Sequence, residues 1–154
     1  MSNRKTHVRT SAKGLIVRDG ALLVLHMRDA RGDYYTLPGG GQERGESLLQ
    51  TAVRECYEEI GVTVQVGALR FIHEHIEQNA DDDIHQIDMI FLCTLAVGAE
   101  PRSGTIPDNN QIGVAWLPLA GLADYPFFPE VMRSVFLCYP DRDLPFYYQT
   151  VRRG

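Results

Sequence analysis

Two apolar runs flank Asp19-Gly20 in the stretch "LIVRDGALLVLHM". Asp-Gly between apolar runs is a strong hairpin signal, because both residues tolerate the positive φ of a tight turn. Strands are therefore predicted near 7–18 and 21–28. The polar "RDARGDYY" that follows reads as a loop, and "TLPGG" as a turn. Over 47–60 the period changes, with Leu48, Leu49, Ala52, Val53, Cys56 and Ile60 forming an apolar stripe at helical spacing. Ser47 is a good N-cap, Gln50 completes a capping box, and Gly61 is a natural left-handed stop.

Beyond this helix, "VTVQVGALRFIHEHIE" predicts strands and "QNADDD" an acidic turn whose aspartates are solvated. "HQIDMIFLCTLAV" predicts a long strand, "GAEPRSGTIPDNNQ" a loop, and "IGVAWLPL" a short strand with the only tryptophan, Trp116. "PFFPEVMRSVFLC" predicts a second helix with Pro129 in its first turn. Within the tail 140–154, "PFYYQTVRR" predicts a strand or extended arm, and its edge suggests a homodimer. Residues 1–6 are expected to be disordered. Strands, helix, strands, helix give a mixed α/β class with an antiparallel or mixed sheet between helices. The 154 residues, free of repeats and linkers, are expected to form one domain.

Composition narrows the function classes. A hydrophobic fraction of 44% and a charged fraction of 23% are those of a globular protein. A net charge of −5 argues against a DNA-binding surface. No apolar run approaches the roughly 18 residues of a membrane span. Cys56, Cys93 and Cys138 are odd in number and far apart, so neither a disulfide framework nor a thiolate metal site is indicated. Reduced thiols suit a cytoplasmic protein.

Residues 38–62, "PGGGQERGESLLQTAVRECYEEIGV", carry the candidate chemistry. On a helix, Glu55, Glu58 and Glu59 stand at i, i+3 and i+4 and share one face. Such like charges destabilise a helix by a few tenths of a kcal/mol per pair, so solvent or a cation must offset them. Clustered carboxylates are acceptor-only oxygen ligands of the kind that bind Mg²⁺ or Mn²⁺. Arg54 can pair with a glutamate and hold its rotamer. The preceding glycines let backbone approach a metal or phosphate closely. On charge alone, a cation site and a solvated acidic face both stand.

The spacing of Gly40, Glu46, Arg54, Glu55, Glu58, Glu59, Gly61 and Val62 resembles the Nudix box, G-x5-E-x7-R-E-U-x-E-E-x-G-U, where U is bulky and apolar. Every fixed position agrees, with Cys56 as a small hydrophobe at the first U. "LPGG" before the box, and "WLPLAGL" and "FFPEV" after it, are similar to the family's flanks. The resemblance implies the Nudix fold, an α/β/α sandwich around a mixed β-sheet. It implies a hydrolase, or pyrophosphatase, that cleaves a diphosphate linkage in a nucleoside diphosphate derivative, of nucleotide-sugar or nucleoside triphosphate type. It further implies Glu55, Glu58, Glu59 and the Gly39 carbonyl as ligands of Mg²⁺ or Mn²⁺, and Glu58 or Glu55 as base toward water. By the same resemblance Arg54 orients the carboxylates, Glu46 ties the loop to the helix, and Gly40 and Gly61 serve backbone geometry.

One departure bears on the mechanism. Many family members carry a further acid on a distal loop, but "PDNNQIGVAW" has amides at Asn109, Asn110 and Gln111, leaving Asp108 and the more distant Glu100. Glu74 is another candidate, against the alternative of a surface strand glutamate. Arg28 and Tyr35 flank the glycine loop and could meet a phosphate or base. His73 and His75 share a strand face, but no third zinc ligand is evident, so half-exposed histidines are expected. Trp116 is expected to pack rather than stack on a base. "IEQNADD" lacks both the proline of the family's ADP-ribose members and the tyrosine of its dinucleoside polyphosphate members. A nucleotide-sensing module without catalysis and an allylic diphosphate isomerase, for which Cys93 is the one proton donor in view, are the alternatives.

Overall fold

The computed structural model describes residues 7–143 and 146–154. The expected disordered start, 1–6, lies outside the described residues, as do 144–145 of the tail. The predicted first strand is divided between two sheets. β1 (Arg9–Leu15) belongs to one and β2 (Val17–Arg18) to the other. The chain crosses at Ile16, whose carbonyl accepts from Leu23 N–H at 2.9 Å. Asp19 and Gly20 take φ of 51° and 74° and turn β2 into β3 (Ala21–Asp29), the expected hairpin.

The polar stretch after β3 is not a loop. β4 (Gly32–Thr36) folds back antiparallel on β3, with Arg28 opposite Asp33 and His26 opposite Tyr35. These side chains are polar because β4 is an edge strand, and a cross-strand Arg28–Asp33 ion pair holds it at 2.6 Å. β8 (Gln111–Pro118) pairs with the other side of β3. Leu22 and Val24 enter one hydrophobic cluster and Leu23, Leu25 and Met27 the other, so β3 is buried on both faces. That explains an apolar run without alternation.

The larger sheet has the order β5-β1-β7-β6-β9, with β5 at Gly39–Gly41, β6 at Val64–Gln78, β7 at Asp83–Leu95 and β9 at Tyr147–Arg153. β1 runs parallel to β7 and β6 parallel to β9, while the β1–β5 and β6–β7 pairs are antiparallel, so the sheet is mixed as expected. The tail strand thus extends the chain's own sheet. α1 (Leu48–Ile60) covers one face, burying Ala52, Cys56 and Ile60 against Ala12, Phe91 and Cys93. Its capping box of Ser47 and Gln50 and its left-handed stop at Gly61 are those read from the sequence.

The predicted second helix over 126–138 does not form. Phe127 bridges to Tyr35, Tyr35 N–H donates to Pro126 O, and Phe128 N–H donates to Tyr35 O, so 126–128 lies extended beside β4. Two single 3₁₀ turns follow, Glu130–Met132 and Phe136–Cys138. They bury Met132 and Phe136 beside Phe71, Phe127 and Ile90. Residues four apart can share a face without a continuous helix, and the stripe over 126–138 misled for that reason. The layer opposite α1 is built of 3₁₀ turns, including Leu119–Asp124.

Candidate active site

The glycine loop and α1 are pressed together by short contacts. Gly39 lies opposite Lys13 and Gly40 opposite Ala12 in the β1–β5 pair. Gly39 has a φ of 141°, and a β-carbon there would collide with the Ala12 carbonyl oxygen. A β-carbon at Gly40 would fall within the Glu55 carboxylate, which therefore lies directly over the loop backbone. Gly39 N–H donates to Glu59 Oε1 at 2.7 Å. Substitution at Gly39 would push β5 off β1, and substitution at Gly40 would displace the Glu55 carboxylate.

Arg54 is the centre of the charge network. Its Nε and second amino nitrogen reach Glu46 at 2.7 and 3.0 Å, and the latter also reaches the Gly41 carbonyl at 3.1 Å. Its first amino nitrogen reaches Glu55 at 2.9 Å and Glu58 at 3.4 Å. Glu46 also accepts from Thr51 Oγ1 and Glu43 N–H. The Arg54 hydrogen bonds, aided by these two, hold the Glu46 carboxyl down at about 2, against the opposing effect of burial. Through Arg54, Glu46 is joined to the Gly41 carbonyl of the glycine loop.

Glu59 is not on a solvated face. It is 3% exposed, and burial pushes its carboxyl up to about 8. The Gly39 N–H and Lys13 oppose the rise, and the neighbouring charges of Glu55 and Asp108 add to it. Glu55, Glu58, Glu59 and Asp108 line one cleft of about 380 Å³ with Gly39–Gly41, Arg9, Lys13, Gln86 and Asn109. A larger hollow, about 690 Å³, runs beside Leu49, Val53 and Val66 on the outer flank of α1, away from Glu55, Glu58 and Glu59. Among the described residues, no three acidic, His or Cys side chains converge at metal-binding spacing. Glu55 and Glu58 turn toward Arg54, and Glu59 turns inward to Gly39 N–H. The donor set nevertheless fits a hard divalent cation. It is all oxygen, and its carboxylates line an open cleft with the Gly39–Gly41 backbone.

Other singled-out residues lie elsewhere. Glu74 accepts from Tyr147 Oη at 2.6 Å, pairs with His85 at 2.7 Å, and does not line the cleft. The Arg28 side chain is engaged by Asp33, and Tyr35 packs between His26 and Tyr125, so neither borders the carboxylates. Glu100 reaches Arg18 at 3.8 Å. Trp116 packs on the core beneath the Arg18 guanidinium, 4.5 Å from its ring. Asn79 Oδ1 accepts from the amides of Asp81 and Asp82 in the acidic turn. His73 and His75 are buried rather than half-exposed, because β9 and Phe128 cover that part of β6. His73 Nε2 meets Thr150 Oγ1 at 2.8 Å, and its Nδ1 stands 3.6 Å from Asp88, too far for a normal hydrogen bond.

The structure adds residues that the sequence did not single out. Arg9 and Lys13 bring two cations to the cleft, and Gln86 a polar amide. Behind Gln86, Asp88 accepts from its Nε2 at 2.7 Å and from Ser11 Oγ. The available signal was parity: Arg9, Ser11 and Lys13 alternate along β1 on the face opposite the buried Ala12.

A sequence profile of the NUDIX domain matches residues 7–136. A Mycobacterium tuberculosis protein, named provisionally as 8-oxo-dGTP diphosphatase 3, is 30% identical over 134 residues, covering 82% of this chain and 60% of its own length. The chain thus spans about three fifths of that relative. Nucleoside triphosphatase NudI of Escherichia fergusonii is 34% identical over 124 residues, covering 76% of this chain and 86% of its own. The crystal structure of a MutT NUDIX hydrolase from Burkholderia pseudomallei superposes with a TM-score of 0.62 at 27% identity, covering 74% of this chain and 85% of the other.

Proposed function

The chain belongs to the NUDIX domain family, and from that premise we propose that it is a metal-dependent hydrolase of nucleoside triphosphates or closely related nucleoside diphosphate derivatives. The observation that carries this reading is one cleft lined by Glu55, Glu58, Glu59 and Asp108 together with Arg9, Lys13 and the backbone of Gly39–Gly41, where Lys13 Nζ donates to the Gly39 carbonyl at 3.3 Å. Glu55, Glu58, Glu59 and the Gly39 carbonyl would hold Mg²⁺ or Mn²⁺. When bound, such an ion neutralises phosphate oxygens and acidifies water.

The chain's own residues have separable tasks. Arg54 holds Glu55 and Glu58 and would release them to a bound cation, while its bidentate grip on Glu46 keeps the loop fixed to α1. Glu58, with its single long contact to Arg54, accepts the proton of the attacking water. Water oxygen bonds to phosphorus, the bridging P–O bond breaks, and the leaving phosphate departs with the electron pair. Arg9 and Lys13 hold phosphate oxygens. Two cations beside the carboxylates favour a triphosphate chain over a sugar at that end, and one relative carries nucleoside triphosphatase in its name.

The test is a panel of nucleoside triphosphates, nucleotide-sugars and non-nucleotide diphosphates incubated with Mg²⁺ in H₂¹⁸O. Mass spectrometry would follow the products. The reading expects a nucleotide cleaved with one ¹⁸O on a phosphate, and full loss of turnover in excess EDTA. Binding without cleavage would support a sensor, and isomerisation of an allylic diphosphate with its phosphates intact would support an isomerase; either result overturns the proposal.

A further inference from the structure

The loop before β8 is strapped to the end of α1. Gly61 N–H takes the Tyr57 carbonyl at 3.1 Å, and the next three carbonyls are taken by loop amides. Ile106 donates to Glu58 O, Gly104 to Glu59 O and Arg102 to Ile60 O, at 3.1, 3.1 and 3.0 Å. All four terminal carbonyls of the helix are therefore satisfied, three of them by an extended segment running alongside. The approach is so close that a β-carbon at Gly104 would overlap Glu58 O and lie 2.8 Å from Tyr57 O.

Gln111 closes the strap. Its Nε2 donates to Glu59 O at 2.8 Å, and its Oε1 accepts from Asp108 N–H at 3.0 Å. Both ends of the amide are used, which fixes its orientation. One side chain thereby joins the main chain of the buried glutamate to that of Asp108, which lines the same cleft. Glu59 is too buried to correct its position by changing rotamer, so its carboxylate follows its backbone. Asp108 Oδ1 accepts from Asn109 N–H at 2.7 Å, which leaves Oδ2 for the cleft.

We propose that Gln111 is a positioning residue that sets the separation of Glu59 and Asp108, with Gly104 allowing the strap its close approach. This rests on the reading of the cleft as a divalent-cation site. Gln111 does not line the cleft, and its effect runs through Glu59 and Asp108. The bland alternative is a turn cap that contributes only to folding.

The experiment uses the full chain and two readouts: Mn²⁺ binding followed by the electron paramagnetic resonance of the free ion, and steady-state kinetics on the best nucleotide of the panel. Gln111→Met removes both hydrogen bonds, and Gly104→Ala breaks the strap independently. Gly113→Ala, where a β-carbon meets nothing within 4 Å, is the control. The two strap variants are expected to weaken Mn²⁺ binding by about tenfold and to lower kcat by about tenfold or more, the usual range for residues behind a metal ligand. KM for the nucleotide should stay within about twofold. The control should match the wild type. A folded Gln111→Met protein with wild-type Mn²⁺ affinity and kcat overturns the proposal. Gln111→Ser serves if the Met variant does not fold, and failure of both to fold assigns Gln111 a structural role and also overturns it. Absence of Mn²⁺ binding in the wild type instead refutes the cation-site reading beneath it.

Discussion

Asp88→Asn should remove a pH-dependent part of the stability. Asp88 is 9% exposed on β7 and opposed by β1 and β6. Burial acts to raise its carboxyl, but the His73 ring, the Lys13 charge and hydrogen bonds from Ser11 and Gln86 together bring it down to about 2 from an ordinary 3.8. The native state therefore binds this proton less readily than the unfolded chain. The sign follows directly: the stabilisation is complete above pH 4 and disappears as pH falls from about 4 through 2. The drop corresponds to about 2 kcal/mol, at roughly 1.4 kcal/mol per unit. About half of it is gone by pH 3. Asparagine keeps the shape and an acceptor for Ser11 and Gln86 but has no charge to lose. Urea unfolding followed by Trp116 fluorescence, at steps from pH 7 to pH 3, gives the wild-type minus variant difference. Other carboxylates, Glu46 among them, cancel in that difference. It should shrink by about 1 kcal/mol between pH 7 and pH 3. A constant offset across the series would refute the reasoning, and would mean that Asp88 is no more acidic folded than unfolded.

Two further outcomes separate the parts of the molecule. Glu58→Gln should lower kcat by about 10²–10⁴, as for loss of a base or ligand, while Glu74→Gln, already engaged by Tyr147 and His85, should cost less than about tenfold; the reverse ordering in steady-state kinetics would move the base outside the box. Ser47→Ala should destabilise the protein by about 1 kcal/mol in urea unfolding, because Gln50 N–H loses its acceptor at the start of α1, with Mn²⁺ affinity unchanged since the cap lies at the other end of the helix from Glu58 and Glu59.

The helix at 48–60 was legible in full because every signal for it is local: an N-cap, a capping box, a stripe and a left-handed glycine within fifteen residues. The Asp19-Gly20 turn was legible for the same reason. Errors arose where a nonlocal partner decided the outcome. Residues 32–36 look like a loop because their side chains are polar, yet their backbone hydrogen bonds go to β3, and an edge strand has little need of apolar side chains. Met132 and Phe136 have helical spacing, yet Pro126 and Phe128 are committed to Tyr35 before any helix could start. His73 and His75 look half-exposed until β9 closes over β6 from nearly eighty residues away.

The site divides along the same line. The glutamates were found because a fixed spacing on one helix carries them. Their inequality was not, because three carboxylates at i, i+3 and i+4 are equivalent until something covers one of them. The cover comes from Gly39, whose amide binds the Glu59 carboxylate, and from the strap, whose amides bind the carbonyls of Glu58, Glu59 and Ile60. These are contacts of backbone, and backbone donors leave no trace in residue type, except where a glycine must stand to let them approach. Burial pushes the Glu59 carboxyl up to about 8 although the Gly39 amide opposes the rise, while Glu58, one residue away, keeps an open side toward the cleft. Two neighbouring side chains of one chemistry are given different surroundings by loops whose sequence, "PRSGTIPDNNQ", reads only as a connection. In such a cleft the acidic residues can be read from a motif, but the contacts that bury one of them and leave another open lie where main chain meets main chain.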